Sequence, residues 1–244
     1  MTDKKLIFIH LPKTAGTTIR SILNQQYGKD RICGIYDGDP GFLSHEAFDA
    51  LPETEKEQYQ VYCGHFPYGL HEKIKGKAHY YAMFRDPVER VISYYHHAMS
   101  HSPAFQKNPV SLMKFLDRKD WQVDNLYTRF ISGQQAGYGM CHNRMVFKAL
   151  ENIDSHFLAV GLQKNFDISL KILGKRLGWS APQHPPVNVG KERPSLEYFS
   201  VREINRIREL NQLDQVLFDY IQEKFARQRR ELEDTHSSPR PEMA

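Results

Sequence analysis

Three times along this chain a short apolar run ends in a polar turn that feeds an amphipathic helix, and this repetition constrains the fold more than any other feature. Residues 6–11 are β-compatible and close at Pro12; beyond them Ile19, Ile22 and Leu23 share one helical face. Residues 79–84, HYYAMF, form a second run. There Asp86 is placed to cap the following helix, Pro87 suits its first position and Glu89 completes a capping box, which predicts a helix over 87–100. Residues 156–161 suit a buried strand, and 166–177 carry Ile168, Ile172, Leu173 and Leu177 at helical spacing. Strands alternating with helices predict an α/β fold with a central parallel sheet flanked by helices, because each parallel pair needs a crossover and both sheet faces need cover.

Further along, Ile204, Ile207, Leu210, Leu213, Leu217, Tyr220, Ile221 and Phe225 recur at three and four, predicting one long C-terminal amphipathic helix over about 200–233. Between the last two helices, residues 179–196 hold Pro182, Pro185, Pro186 and Pro194 with little periodicity, the kind of loop that is either a working lid or disordered. No repeat or linker divides the chain, so one domain over 1–234 with a frayed tail at 235–244 is expected. The net charge of +4, from 33 basic and 29 acidic residues, is too small and too interspersed for a nucleic-acid or membrane-surface partner. Any anionic ligand must then be held locally. Without an apolar run near the ~20 residues of a membrane span, and without a signal-peptide pattern, a cytoplasmic protein is expected. Cys33, Cys63 and Cys141 are odd in number and far apart, which predicts free thiols. His97 and His101 are four apart but lack an HExxH pattern, and Asp37-Gly38-Asp39 reads as a turn, so no metal is expected.

The segment Lys13-Thr14-Ala15-Gly16-Thr17-Thr18 joins a strand end to a helix start, gathering backbone N–H groups, a lysine and three hydroxyls in a volume suited to phosphate or sulfate. A tight turn capped by Thr17 is the plainer alternative. A nucleotide-triphosphatase loop is disfavoured because Lys13 precedes the glycine instead of following it. Arg85 ends a strand and Ser93 lies about two helical turns on, a guanidinium and a hydroxyl that suit another phosphate unless Arg85 merely pairs with Asp86 or Glu89. His65, between Gly64 and Phe66-Pro67, is either a turn histidine or a general base.

FIHLPKTAGTT (8–18) and FRDPVERVISYY (84–95) resemble the 5'-phosphosulfate loop and the 3'-phosphate motif of the sulfotransferases that use 3'-phosphoadenosine 5'-phosphosulfate (PAPS). CGHFPYG (63–69) resembles the segment supplying the base in heparan sulfate 2-O-sulfotransferases, and 207–225 resembles the C-terminal helix of the 6-O enzymes. The resemblance implies a P-loop-like sulfotransferase fold and metal-free sulfuryl transfer from PAPS to a hydroxyl on a carbohydrate, leaving adenosine 3',5'-bisphosphate (PAP). It implies His65 as base, Lys13 at the leaving group, residues 13–18 on the 5'-phosphate, and Arg85 with Ser93 on the 3'-phosphate. Where the 2-O enzymes carry a second histidine this chain has Cys63, so His71 or Glu72 stays open as a sharer of the base role. Lys191 and Arg193 are implied to close over the nucleotide, or else form a solvated charge cluster. Asn125 and Arg129 are implied to meet the acceptor, or else belong to an ordinary helix with Leu126 and Phe130 inward. The competing readings are a nucleotide-dependent phosphotransferase and a non-catalytic nucleotide- or glycan-binding protein.

Overall fold

The computed structural model describes residues 4–179 and 196–237. Strands β1 (Lys5–Ile9), β2 (Ile32–Ile35), β3 (Val61–Gly64), β4 (Ala78–Phe84) and β5 (Phe157–Leu162) form one sheet in the order β2-β3-β1-β4-β5. All four pairings are parallel. Ile7, Phe8 and Ile9 are completely buried, as the central strand of a sheet covered on both faces must be. The chain leaves β1 toward β2 and β3 on one side and returns on the other side as β4, so the topology switches at the C-terminal end of β1. That is where open α/β sheets form their ligand crevice.

The flanking helices are α1 (Gly16–Tyr27), α2 (His45–Ala50), α3 (Glu53–Glu57), α4 (Pro87–His101), α5 (Pro103–Lys107) and α6 (Leu112–Leu116). After them come α7 (Leu126–Ser132), α8 (Asn143–His156), α9 (Phe166–Leu177), α10 (Val201–Leu210) and α11 (Gln212–Ser237). The main core packs the sheet between these helices, with Leu217, Ile221 and Phe225 of α11 reaching into it. A second apolar cluster surrounds the other side of α4: Val88, Val91 and Ile92 meet Phe115 and Leu116 of α6 and Ile207 of α10. Among the described residues no helix is long and apolar enough to cross a membrane, and Cys33, Cys63 and Cys141 are free thiols.

Three expectations need correcting. Strands β2 and β3 were not foreseen; each has four residues, too few to show a period. The capping box at α4 is half made. Asp86 accepts the Glu89 N–H at 3.0 Å, but the Glu89 carboxylate turns to Arg85 Nε, also at 3.0 Å. The single C-terminal helix is two, broken at buried Asn211, whose amide donates to Val123 O at 2.8 Å and Ile207 O at 2.9 Å. The break exposes the first N–H groups of α11, and Asn125 Oδ1 accepts those of Leu213 and Asp214 at 3.0 and 3.2 Å. Apolar spacing continues through the break, so periodicity alone hid it. Helix α11 runs to Ser237, past the expected start of the tail. Lys191, Arg193 and tail residues 238–244 lie outside the described residues.

Candidate active site

His10 follows β1 and extends its ladder, donating its backbone N–H to Gly64 O at 2.8 Å. The chain then turns sharply, with Lys13 at φ 69° and Ala15 at φ 71°, both left-handed and both sparsely populated by non-glycine residues. Thr14 closes this turn: it is buried, and its hydroxyl donates to Leu11 O at 2.8 Å. Its side chain is therefore spent on the turn. Helix α1 starts at Gly16 with no side chain capping it, leaving a positive helix end at the loop. Gly16 is required for room. A Cβ there would lie 1.8 Å from His10 Cδ2, so only glycine lets the helix start pack on the His10 ring.

His65 stands just after β3, where Gly64 lets the strand approach β2; a Cβ on Gly64 would fall 2.0 Å from Ile35 O. The Nδ1 of His65 is 2.6 Å from the backbone oxygen of His10. A carbonyl only accepts, so Nδ1 carries the proton, and in the neutral ring Nε2 holds the lone pair. Burial lowers the His65 pKa, opposed by the bond to His10 O and assisted by Arg20 and His45. Its ring lies 4.4 Å from that of His10, whose Nδ1 meets Tyr36 Oη at 2.9 Å. Burial, then His65, Arg20 and Lys13, hold His10 well below the ordinary histidine range. Both imidazoles are accordingly neutral at pH 7. His10 was missed by sequence reasoning because it sits at the end of an apolar run and looks like strand.

Lys13, Gly16, Thr17, Thr18 and His65 line one cleft of about 930 Å³ that Pro12 and Ala15 also border. Helix α4 contributes Ser93, Tyr94, His97 and His101 to it. Lys13, Ser93, His97 and His101 also line an adjoining cavity of about 610 Å³ that contains Arg85 and Glu89, so the two spaces meet. Arg85 is fixed twice, by its Nε–Glu89 ion pair and by Tyr127, whose hydroxyl donates to Arg85 O at 2.8 Å. The pairing with Glu89 thus coexists with a place in the cavity wall. Asp37, expected only in a turn, gains a partner in the structure: His45 Nδ1 lies 2.6 Å from Asp37 Oδ2, and both residues border the cleft. The His97 and His101 rings lie 4.2 Å apart and tilted by 33°, with His101 Nδ1 on His97 O at 3.0 Å. Among the described residues no group of side chains is arranged to hold a metal ion.

Other expected residues are elsewhere. His71 hydrogen-bonds the Tyr80 hydroxyl at 2.8 Å, and neither it nor Glu72 borders the cleft. Asn125 and Arg129 are 8% and 5% exposed and engaged internally. Asn125 caps α11, while Arg129 pairs with Asp124 Oδ2 at 2.6 Å and donates to Ala136 O at 2.7 Å and Gly137 O at 2.8 Å. In return Asp214, in the first turn of α11, accepts from Tyr127 N, Thr128 N and Thr128 Oγ1 at 2.9, 2.8 and 2.9 Å. The two helix starts cap each other.

An electropositive loop at a helix start, next to a buried neutral imidazole with a free lone pair, can hold an anionic group and accept a proton beside it. Comparison with known proteins gives the chain a family. No curated protein matches the chain. Among solved structures it is similar to mouse sulfotransferase SULT7A1 complexed with PAP, at 13% identity and a TM-score of 0.48 over 90% of each chain. It is also similar to a sulfotransferase from Alicyclobacillus acidocaldarius, at 15% identity and a TM-score of 0.47 over 86% of this chain and 96% of that one. The model of the sulfotransferase family, Sulfotransfer_2, matches residues 1–162, which include the loop, His65 and Arg85. The chain belongs to the sulfotransferase family.

Proposed function

We propose that this chain transfers a sulfuryl group from PAPS to a hydroxyl of a carbohydrate acceptor, with His65 as general base. The observation that carries this reading is the bond from His65 Nδ1 to His10 O, which leaves Nε2 as the basic atom of a residue bordering the same cleft as Lys13. An imidazole held neutral by burial is ready to take the acceptor proton as the hydroxyl oxygen bonds to sulfur and the bond from sulfur to the bridging oxygen breaks.

The donor set suits a nucleotide bearing phosphates at two places. The uncapped start of α1, with Gly16, Thr17 and Thr18, would hold the 5'-phosphate, and Ala15 its backbone approach. Lys13 would offset the negative charge that builds on the departing phosphate. Arg85 and Ser93, in the adjoining cavity, would hold the 3'-phosphate, the Glu89 pair fixing the guanidinium in place. Transfer of this kind leaves the protein mainly positioning and charge stabilisation to do, which needs no metal.

The test sets PAPS plus EDTA against ATP plus Mg²⁺ over a panel of glycans and small alcohols, read by mass spectrometry. A PAPS-dependent mass gain of one sulfate that survives EDTA is the expected result. Transfer that needs ATP and Mg²⁺ would overturn it in favour of a phosphotransferase, and tight PAP binding without product would leave a binding protein.

A further inference from the structure

Opposite in character to the anion-holding loop is the short segment 120–122, which no motif singled out. Trp121 is 43% exposed and borders the cleft, while its ring stacks on Phe130, itself 6% exposed, at 6.1 Å between centroids and 17° between planes. Phe130 of the main core thus backs the indole while much of Trp121 stays accessible. The segment is also held in place from below. Tyr94 Oη donates to Asp120 Oδ2 at 2.8 Å, the wholly buried Arg90 donates to Gln122 O at 2.8 Å, and Arg129 donates to Trp121 O at 3.1 Å. Because the Tyr94 proton is committed to Asp120, its oxygen accepts from Gln122 Nε2 at 2.9 Å. That fixes the amide and leaves Gln122 Oε1 and the second N–H for a ligand.

We propose that Trp121 is the platform of the acceptor subsite, taking the apolar C–H face of a sugar ring, with Gln122 and Gln163 holding the flanking hydroxyls. This rests on the transfer reading above and names the part of the cleft that reads the acceptor. A sugar ring is chemically two-sided, with C–H groups stacked on a face and hydroxyls around the edge, and the subsite has the same character. Besides Trp121, Tyr94 and Phe130, the same cleft is lined by the polar side chains of Asp37, His45, Gln122 and Gln163. A phenolic acceptor would instead call for apolar walls on both sides of its ring. The anchors also explain how the acceptor is kept in register with the donor. Tyr94, which fixes Gln122, is the residue after Ser93 on α4, so the two halves of the cleft share one rigid helix.

The experiment uses the full chain with and without saturating PAP. Tryptophan emission is followed as cellotetraose, a hyaluronan tetrasaccharide and 2-naphthol are titrated in separately. The chain has only two tryptophans, so Trp121→Ala leaves Trp179 as the sole reporter. A saturable change with one or both sugars, absent in Trp121→Ala, is expected. Sugar affinity by saturation-transfer NMR should fall about tenfold in Trp121→Ala and return in Trp121→Phe. PAP affinity by calorimetry should be the same in all three proteins. No response to either sugar, an equal response in Trp121→Ala, or a response to 2-naphthol alone would overturn the subsite. Failure of the wild-type chain to bind PAP would instead overturn the nucleotide reading, while the titrations without PAP still decide the subsite.

Discussion

The molecule has two dense polar clusters, one where β1 and β3 end and one where α7 meets α11, and they differ in what their side chains leave over. Around Asp124, Asn125, Arg129 and Asp214, donors and acceptors are spent on one another and on the backbone. Around His10 and His65 each ring spends one nitrogen on its support, and the cleft receives the rest. A polar cluster that closes on itself holds the fold, and one that stops a hydrogen bond short of closure is equipped for chemistry.

The largest effect that would break this contrast is at His65. His65→Ala should lower kcat by roughly 10²- to 10⁴-fold while the PAP dissociation constant stays unchanged in calorimetry. His45→Ala should remain near wild type; an equal loss there would move the base to the Asp37–His45 pair. In the other cluster, Asp214→Ala strands three donors and should cost about 3 kcal/mol or more in urea unfolding, with little change in kcat of the folded fraction. A stable but inactive Asp214→Ala would invert the comparison. Arg85→Ala removes a charge-assisted contact and should weaken PAP by roughly 1.5–3 kcal/mol, and an unchanged affinity would take Arg85 out of the nucleotide site.

Acidity sharpens the comparison further. Burial lowers the His65 pKa, so the active neutral form persists below pH 6.5 and kcat/KM should hold across neutrality. It should then fall by about tenfold per pH unit once the folded-state pKa is passed. An acid limb centred above 6.5 that vanishes in His65→Ala would contradict the burial argument. The same lowered values at His10 and His65 mean that the unfolded chain binds protons first, so their contribution to stability is full above 6.5 and declines as pH drops below it. The smallest effect is at Asn125. Asn125→Ala loses the α11 cap and a residue tolerant of its φ of 44°, and should cost about 1 kcal/mol with no effect on transfer.

Much of the first cluster was legible because chemistry and punctuation coincide there. Pro12, Gly16 and the Asp86-Pro87 pair mark chain turns, and the loop residues sit where the turns place them. Strands β1, β4 and β5 and helix α9 follow from their apolar runs. His10 was illegible because its role comes from packing on Gly16, a contact made six residues on through a left-handed turn. Asn125 and Arg129 misled for a related reason. Side chains able to greet a ligand are equally able to cap a helix 88 residues away, and local sequence does not distinguish the two. Trp121 carried no signal at all, since an exposed aromatic beside a helix start acquires meaning only from the cleft it borders.

The mutual capping of α7 and α11 also sets an order of events during synthesis. The carboxylate that satisfies Tyr127 lies 87 positions downstream, at Asp214. A nascent chain emerging from the ribosome therefore presents the start of α7 incomplete until the whole sheet, which ends at Leu162, has been translated. The segment carrying Trp121 leans on that same junction through Arg129, so this wall of the cleft should mature last, after the sheet beneath it.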